Sequence, residues 1–214
     1  MRGLDGVAAL ALLLCGAGAG RGEEFYYVLV FGSQQGPGCV RYSHTFATFV
    51  RATGLGPCAR SYRLDAFTIS WLPRTLDLRP LALEPEEGTN LGLGATLRWV
   101  WATGQRVSLW GPYQVERELF DRALAQARLL ESGRVCYKVL DSGCPTDVVT
   151  NCIHAVTSVV VGYRPRLLSP GHGDTASYVA ALRFRPWIID CRQTHEWVAD
   201  RLGLGAWPLV RRSL

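Results

Sequence analysis

The sequence predicts an α+β fold in which an antiparallel sheet packs on helices. Three observations carry that reading. An aromatic and β-branched run, Phe25–Phe31 (FYYVLVF), opens the ordered chain. A period-2 stretch follows, with His44, Phe46, Thr48 and Val50 on one side and Thr45, Ala47 and Phe49 on the other. Apolar residues at helical spacing then take over, most clearly within 113–130.

Taken in order, Phe25–Phe31 reads as a buried strand closed by Gly32, with a loop at 34–38. Cys39–Val50 (CVRYSHTFATFV) is a strand that ends in the turn TGLGP, Thr53–Pro57. Ala66–Leu72 (AFTISWL) is its hairpin partner, stopped by Pro73. A third strand is expected over Thr75–Leu81, a loop over Pro85–Asn90 and a helix over Leu91–Ala102. Arg106–Trp110 is short and strand-like. Gly111 and Pro112 then open a helix from Tyr113 to Leu130, which Ser132 and Gly133 end. Val135–Leu140 is a strand, Asp141–Pro145 a turn and Cys152–Val161 a helix. The segment 163–214 carries no clear assignment beyond a run at Ala176–Phe184 and a helix at Thr194–Leu202.

The N-terminus reads differently. Arg2 precedes an apolar stretch, Val7–Ala17, too short to span a bilayer comfortably, and small residues follow it. The expectation is a secretory signal peptide over 1–22, cut between Ala19 and Gly22, with an uncleaved anchor as the competitor. The remainder, 23–214, contains no strong linker and is expected to form a single α+β domain, exported to the periplasm, cell surface or medium. No later run reaches transmembrane length. Hydrophobic residues at 48% and charged residues at 19% exclude a disordered chain. The net charge of +5 comes almost wholly from arginine, Lys138 being the only lysine. These arginines never form a run of five, so nucleic acid is not an expected partner.

Of the 7 cysteines, Cys15 lies in the signal segment. The others are Cys39, Cys58, Cys136, Cys144, Cys152 and Cys191, an even set that an exported chain can use for disulfides. Cys39 and Cys58 flank the histidine strand and its turn, so a bridge between them would close a hairpin. One member of the set is placed differently. In VTNCIHA, Asn151 is a good N-cap and sets Cys152 in the first turn of a helix. There the positive end of the helix lowers a thiol pKa, and the turn's N–H groups can receive an oxyanion. His44, at the start of the alternating strand, is the candidate base. A zinc site from Cys152, His154, Cys191 and His195 lacks any CxxC or HxxxH pair to anchor it, and no cofactor is expected. His154, about 200° around a helix from Cys152, is expected to point away from the thiol.

The order of these parts resembles the circularly permuted papain-like proteins, which include NlpC-type amidases and the lecithin–retinol acyltransferase-like proteins. SHTFATF carries the strand histidine before NCIHA carries the cysteine, with the helix and strand between them. The resemblance spans Phe25–Val161 by element order. It implies that Cys152 is a nucleophile, that His44 is its base within about 4 Å, and that Thr68 or Ser70 on the next strand orients the ring. By looser analogy it makes Gln34 an oxyanion donor. The implied activity is acyl transfer from an amide or ester, with cell-wall peptide, protein or lipid acyl groups as substrate classes. The alternative is a non-catalytic, disulfide-braced exported domain that binds or supports.

Overall fold

A computed structural model describes residues 23–36, 43–54, 62–160 and 173–214. Residues 1–22, expected as a signal peptide, and Cys39 and Cys58 with the bridge expected between them lie outside the described residues. The strands are β1 (Glu23–Gln34), β2 (His44–Gly54), β3 (Arg63–Ile69), β4 (Trp71–Pro73), β5 (Glu86–Asn90), β6 (Arg106–Val115), β7 (Cys136–Tyr137), β8 (Val149–Thr150) and β9 (Leu209–Arg212). The helices are α1 (Leu93–Ala102), α2 (Arg117–Glu131), α3 (Cys152–Thr157), α4 (Gly173–Phe184) and α5 (Glu196–Arg201). The class is α+β, as expected.

The main sheet has the order β3-β2-β1-β6-β9 and a smaller sheet the order β4-β5-β7-β8. Both are mixed rather than purely antiparallel: β6–β9 and β7–β8 run parallel. β1 sits at the centre, paired with β2 on one side and β6 on the other. Its side chains alternate between two cores. Val28 and Val30 join Ala47, Phe49 and Ile69 beneath residues of α2, α3 and α4. Tyr27, Leu29 and Phe31 join Phe46 and Val50 beneath residues of α1 and α5. A strand covered on both faces needs apolar residues at every position, which is why FYYVLVF is continuous rather than alternating. Each of these side chains contributes about 1.5–3 kcal/mol on full burial. Phe31 and Phe46 stack across the β1–β2 pair with centroids 4.6 Å apart.

Several expectations are corrected. Gly111 and Pro112 do not open a helix: β6 continues through them to Val115, and α2 starts at Arg117. The register slips by one residue between Val28 and Val30, a β-bulge. Gly111 occupies it with φ +87, and a Cβ there would meet the Val28 carbonyl oxygen at 2.9 Å. So Gly-Pro marks a bulge inside a strand. Thr75–Leu81 forms no strand, and Leu81 stands 89% exposed. The strand is instead β5, in the segment expected as loop. It pairs with β4, and its acidic residues meet arginines of the preceding turn, Glu87 with Arg74 and Glu86 with Arg79. Val135–Leu140 shrinks to the two residues of β7, and Cys152–Val161 to the six of α3. The C-terminal β9 had no sequence signal beyond four residues, LVRR.

α4 lies directly on β1 because two glycines allow it. A Cβ on Gly32 would meet the Gly173 carbonyl oxygen at 2.1 Å, and one on Gly173 would meet the Ser33 carbonyl oxygen at 2.0 Å. The obstacle in each case is backbone, which cannot swing aside. Gly32→Ala should therefore lower unfolding free energy by about 1–3 kcal/mol or more, whereas Gly205→Ala, where a Cβ meets nothing, should be near neutral. Urea denaturation of both variants checks this. Equal stability of Gly32→Ala and the parent would contradict the close approach.

Candidate active site

α3 begins where the sequence places it. Asn151 is extended (φ −95, ψ 178) and its Oδ1 accepts the His154 backbone N–H at 2.8 Å, an N-cap. Cys152 is the first helical residue and is 7% exposed. Its sulfur meets the sheet at the end of β2. The β2–β3 pairing stops at Ala47↔Ile69, so the Thr45 amide lies beyond the last β3 partner. That N–H, with those of Ile153 and Cys152, acts on the sulfur and favours the thiolate. Burial outweighs all three and pushes the Cys152 thiol up to about 11, with the Asp141 charge adding to the rise. The expectation of a depressed thiol pKa is thus corrected: a six-residue helix offers a small dipole, and desolvation wins.

His44 is the first residue of β2, opposite Ser33 of β1, and 1% exposed. Its ring stacks on Phe46 and meets Trp99 of α1 edge-on, with centroids 5.4 and 5.7 Å away. Nε2 lies 2.9 Å from Ser70 Oγ. Ser70 lies in the break between β3 and β4, its Oγ 2.8 Å from Thr96 Oγ1, which also donates to the Gly92 carbonyl at 3.1 Å. The Ser70 amide is held by Asn90 Oδ1 at 2.8 Å. Burial drives the His44 pKa down to about 3. Its Nδ1 is buried and makes no hydrogen bond, so it has none to Cys152. The ring projects toward α1, while α3 packs against the other face. The expected contact between ring and thiol is thus corrected: alternation along β2 turns Thr45, not His44, toward α3, and what lies at the Cys152 sulfur is the Thr45 amide, one peptide unit from His44.

The remaining candidates separate. Ser70 is the ring's partner. Thr68 is not: its Oγ1 pairs with Thr48 Oγ1 across β2–β3 at 2.9 Å. Gln34, at the end of β1, spends its Oε1 on the Asp174 backbone N–H at 3.1 Å and so serves the start of α4. The zinc set does not assemble. His195 packs on Tyr27 in the core beneath α5, at a centroid distance of 5.1 Å, on the face away from α3. Among the described residues Cys136, Cys144, Cys152 and Cys191 are free thiols.

His154 is buried, and it belongs to a group that sequence reasoning missed. Asp141 accepts from its Nδ1 at 2.6 Å and from the Asn151 N–H and Nδ2 at 2.9 Å each. Asp141 sits in the DSGCP turn, where an acidic residue signals only a turn, and the contact is tertiary. His154 Nε2, like His44 Nδ1 and Thr45 Oγ1, is a buried polar atom with no partner. Buried polar groups are nearly always satisfied, so these three atoms, on residues of β2 and α3, stand out. A cavity of about 430 Å³ against α1, β6 and β9, lined by Leu97, Trp101, Val107, Trp207 and Leu209, has none of these residues in its wall. Comparison of the chain with protein-family models, curated proteins and solved structures finds no match.

The buried pair makes stability depend on pH at both ends. His44 titrates at about 3 when folded against 6.5 ordinarily, so below pH 6.5 the unfolded chain binds the extra proton and stability falls. Cys152 titrates at about 11 against 9.0, so above pH 9 the unfolded chain loses its proton first and stability falls again. Each slope is about 1.4 kcal/mol per pH unit for one proton. His44→Gln should flatten the acid limb by that one proton relative to the parent, as read from urea unfolding at several pH values between 4 and 7. An unchanged acid slope would show that His44 is not buried as a neutral ring.

Proposed function

We propose that the chain is an exported thiol hydrolase or acyltransferase of permuted papain-like arrangement, acting on an amide or ester through Cys152 and His44. One observation supports this above the others. The ring nitrogen of His44 not engaged by Ser70 is buried without a partner, on the residue next to the amide that meets the Cys152 sulfur. A neutral imidazole with Nε2–H given to Ser70 keeps a lone pair on Nδ1, the form a general base requires.

In this reading the resting pair is thiol and imidazole, not thiolate and imidazolium, because both pKa displacements favour the neutral forms. Because the ring and the sulfur lie on opposite faces of β2, the reaction requires the His44 ring to turn toward α3, where it takes the thiol proton as sulfur attacks the acyl carbon. The Cys152 backbone N–H receives the oxyanion. His44 returns the proton to the departing amine or alcohol, which leaves a thioester on Cys152. It then deprotonates water, or an acceptor hydroxyl or amine, whose attack releases the acyl group and restores the thiol. Cell-wall peptide, protein and lipid acyl groups are the substrate classes proposed. Among the described residues no helix is long and apolar enough to cross a membrane.

A second reading has its own support: both groups are deeply buried and neutral, as in a binding or structural domain without catalysis. Turnover of activated esters and peptide amides separates the two. Cys152→Ser should abolish it and His44→Gln should lower it by about 10²–10⁴-fold, with cooperative unfolding retained in both. Absence of turnover in the parent, or turnover that survives Cys152→Ser, would leave the non-catalytic reading standing.

A further inference from the structure

The carboxylate of Asp141 is 4% exposed, and its ion-pair partner among the described residues is His154. All three of its hydrogen bonds go to Asn151 and His154, one residue before and two residues after Cys152 at the start of α3. Oδ2 accepts the Asn151 backbone N–H and His154 Nδ1–H, and Oδ1 accepts Asn151 Nδ2. The cap does not need this carboxylate, because Asn151 Oδ1 already satisfies the His154 amide. What the carboxylate fixes is Asn151 itself, one residue before the cysteine, and the ring two residues after it. Asn151 Nδ2 also reaches the Val139 carbonyl at 3.1 Å, which ties the helix start to the chain just before the turn.

We propose that Asp141 is the positioning residue for Cys152, clamping Asn151 and His154 so that the sulfur is held against the Thr45 amide beside His44. The proposal rests on the thiol chemistry above. The clamp has an electrostatic consequence, since a negative charge near the thiol opposes its ionisation. The other titratable groups at the sulfur are Tyr137 of β7, itself influenced by Asp141 and Glu86, and His154 through its bond to Asp141. A mechanism that needed a standing thiolate would be poorly served by this carboxylate. One in which the base takes the proton during attack loses nothing by it and gains a fixed sulfur, and misplacement of reacting atoms by about 1 Å costs on the order of 10²-fold in rate.

The test combines two readouts on the full chain. Cys152 alkylation by iodoacetamide is followed against pH by fragment mass spectrometry, and kcat and KM are measured on an activated ester. Asp141→Asn should move the alkylation midpoint down by on the order of one pH unit yet lower kcat about 10²-fold with KM little changed: more thiolate and less turnover. A residue that merely supported the fold would not move the midpoint downward while slowing turnover. Asp141→Glu keeps the charge and displaces it, so its midpoint should stay near the parent's while kcat falls similarly; it also serves if Asp141→Asn does not fold. An unmoved midpoint in Asp141→Asn, or kcat within about threefold of the parent in either variant, overturns the assignment. If the parent itself does not turn over esters, the thiol reading fails separately, and the alkylation midpoint alone decides whether Asp141 acts on Cys152.

Discussion

β1 is buried from Tyr26 to Gln34 on both faces at once, and the rest of the architecture answers to that constraint. A strand with Val28 and Val30 on one side and Leu29 and Phe31 on the other cannot be satisfied by a single helical layer. α2, α3 and α4 therefore cover one face, and α1 with α5 covers the other. The same strand sets the register of its neighbours. Opposite Ser33 it places His44, and opposite Gly32 it places Thr45. Gly32 also admits α4 to backbone contact. His44 and Thr45 thus stand at the end of β2 because β1 and its two cores hold that end.

What distinguishes Cys152 is that its surroundings disfavour ionisation of the thiol. Here α3 has six residues, the thiol is pushed up to about 11, and the ring is driven down to about 3. Asp141 adds charge of the wrong sign for a thiolate while making three hydrogen bonds to the turn that carries the thiol. Geometry and charge pull in opposite directions at this one residue. In the proposed reaction a neutral pair resolves the conflict, since it asks for placement first and ionisation only during attack.

The sequence carried the parts of this arrangement that depend on local order. Asn151 as a cap, Cys152 in the first helical turn and His44 at the head of an alternating strand follow from residue type and spacing. Ser70, in the break that follows β3, was within reach of the same reasoning, although alternation alone could not separate it from Thr68. The parts that failed depend on tertiary contact. Gly111–Pro112 has the composition of a helix start and serves as a bulge, because β6 must stay paired to β1 through it. β5 has the composition of a loop, and it is a strand because β4 pairs with Gly88–Asn90 while Arg74 and Arg79 meet Glu87 and Glu86. Asp141 looks like any turn aspartate until α3 is folded beside it. Gln34 had the right chemistry for an oxyanion donor but is committed to the start of α4.

In the proposed reaction Cys152 forms a covalent acyl intermediate with His44 as its base. The direct measurement is rapid acid quench of the protein with an activated ester, followed by peptide mass spectrometry of the segment that contains Cys152. The account predicts an acyl group on the Cys152 sulfur within the first turnover, formed far more slowly in His44→Gln. An acyl group on another side chain, or none on Cys152 while ester is consumed, would contradict it.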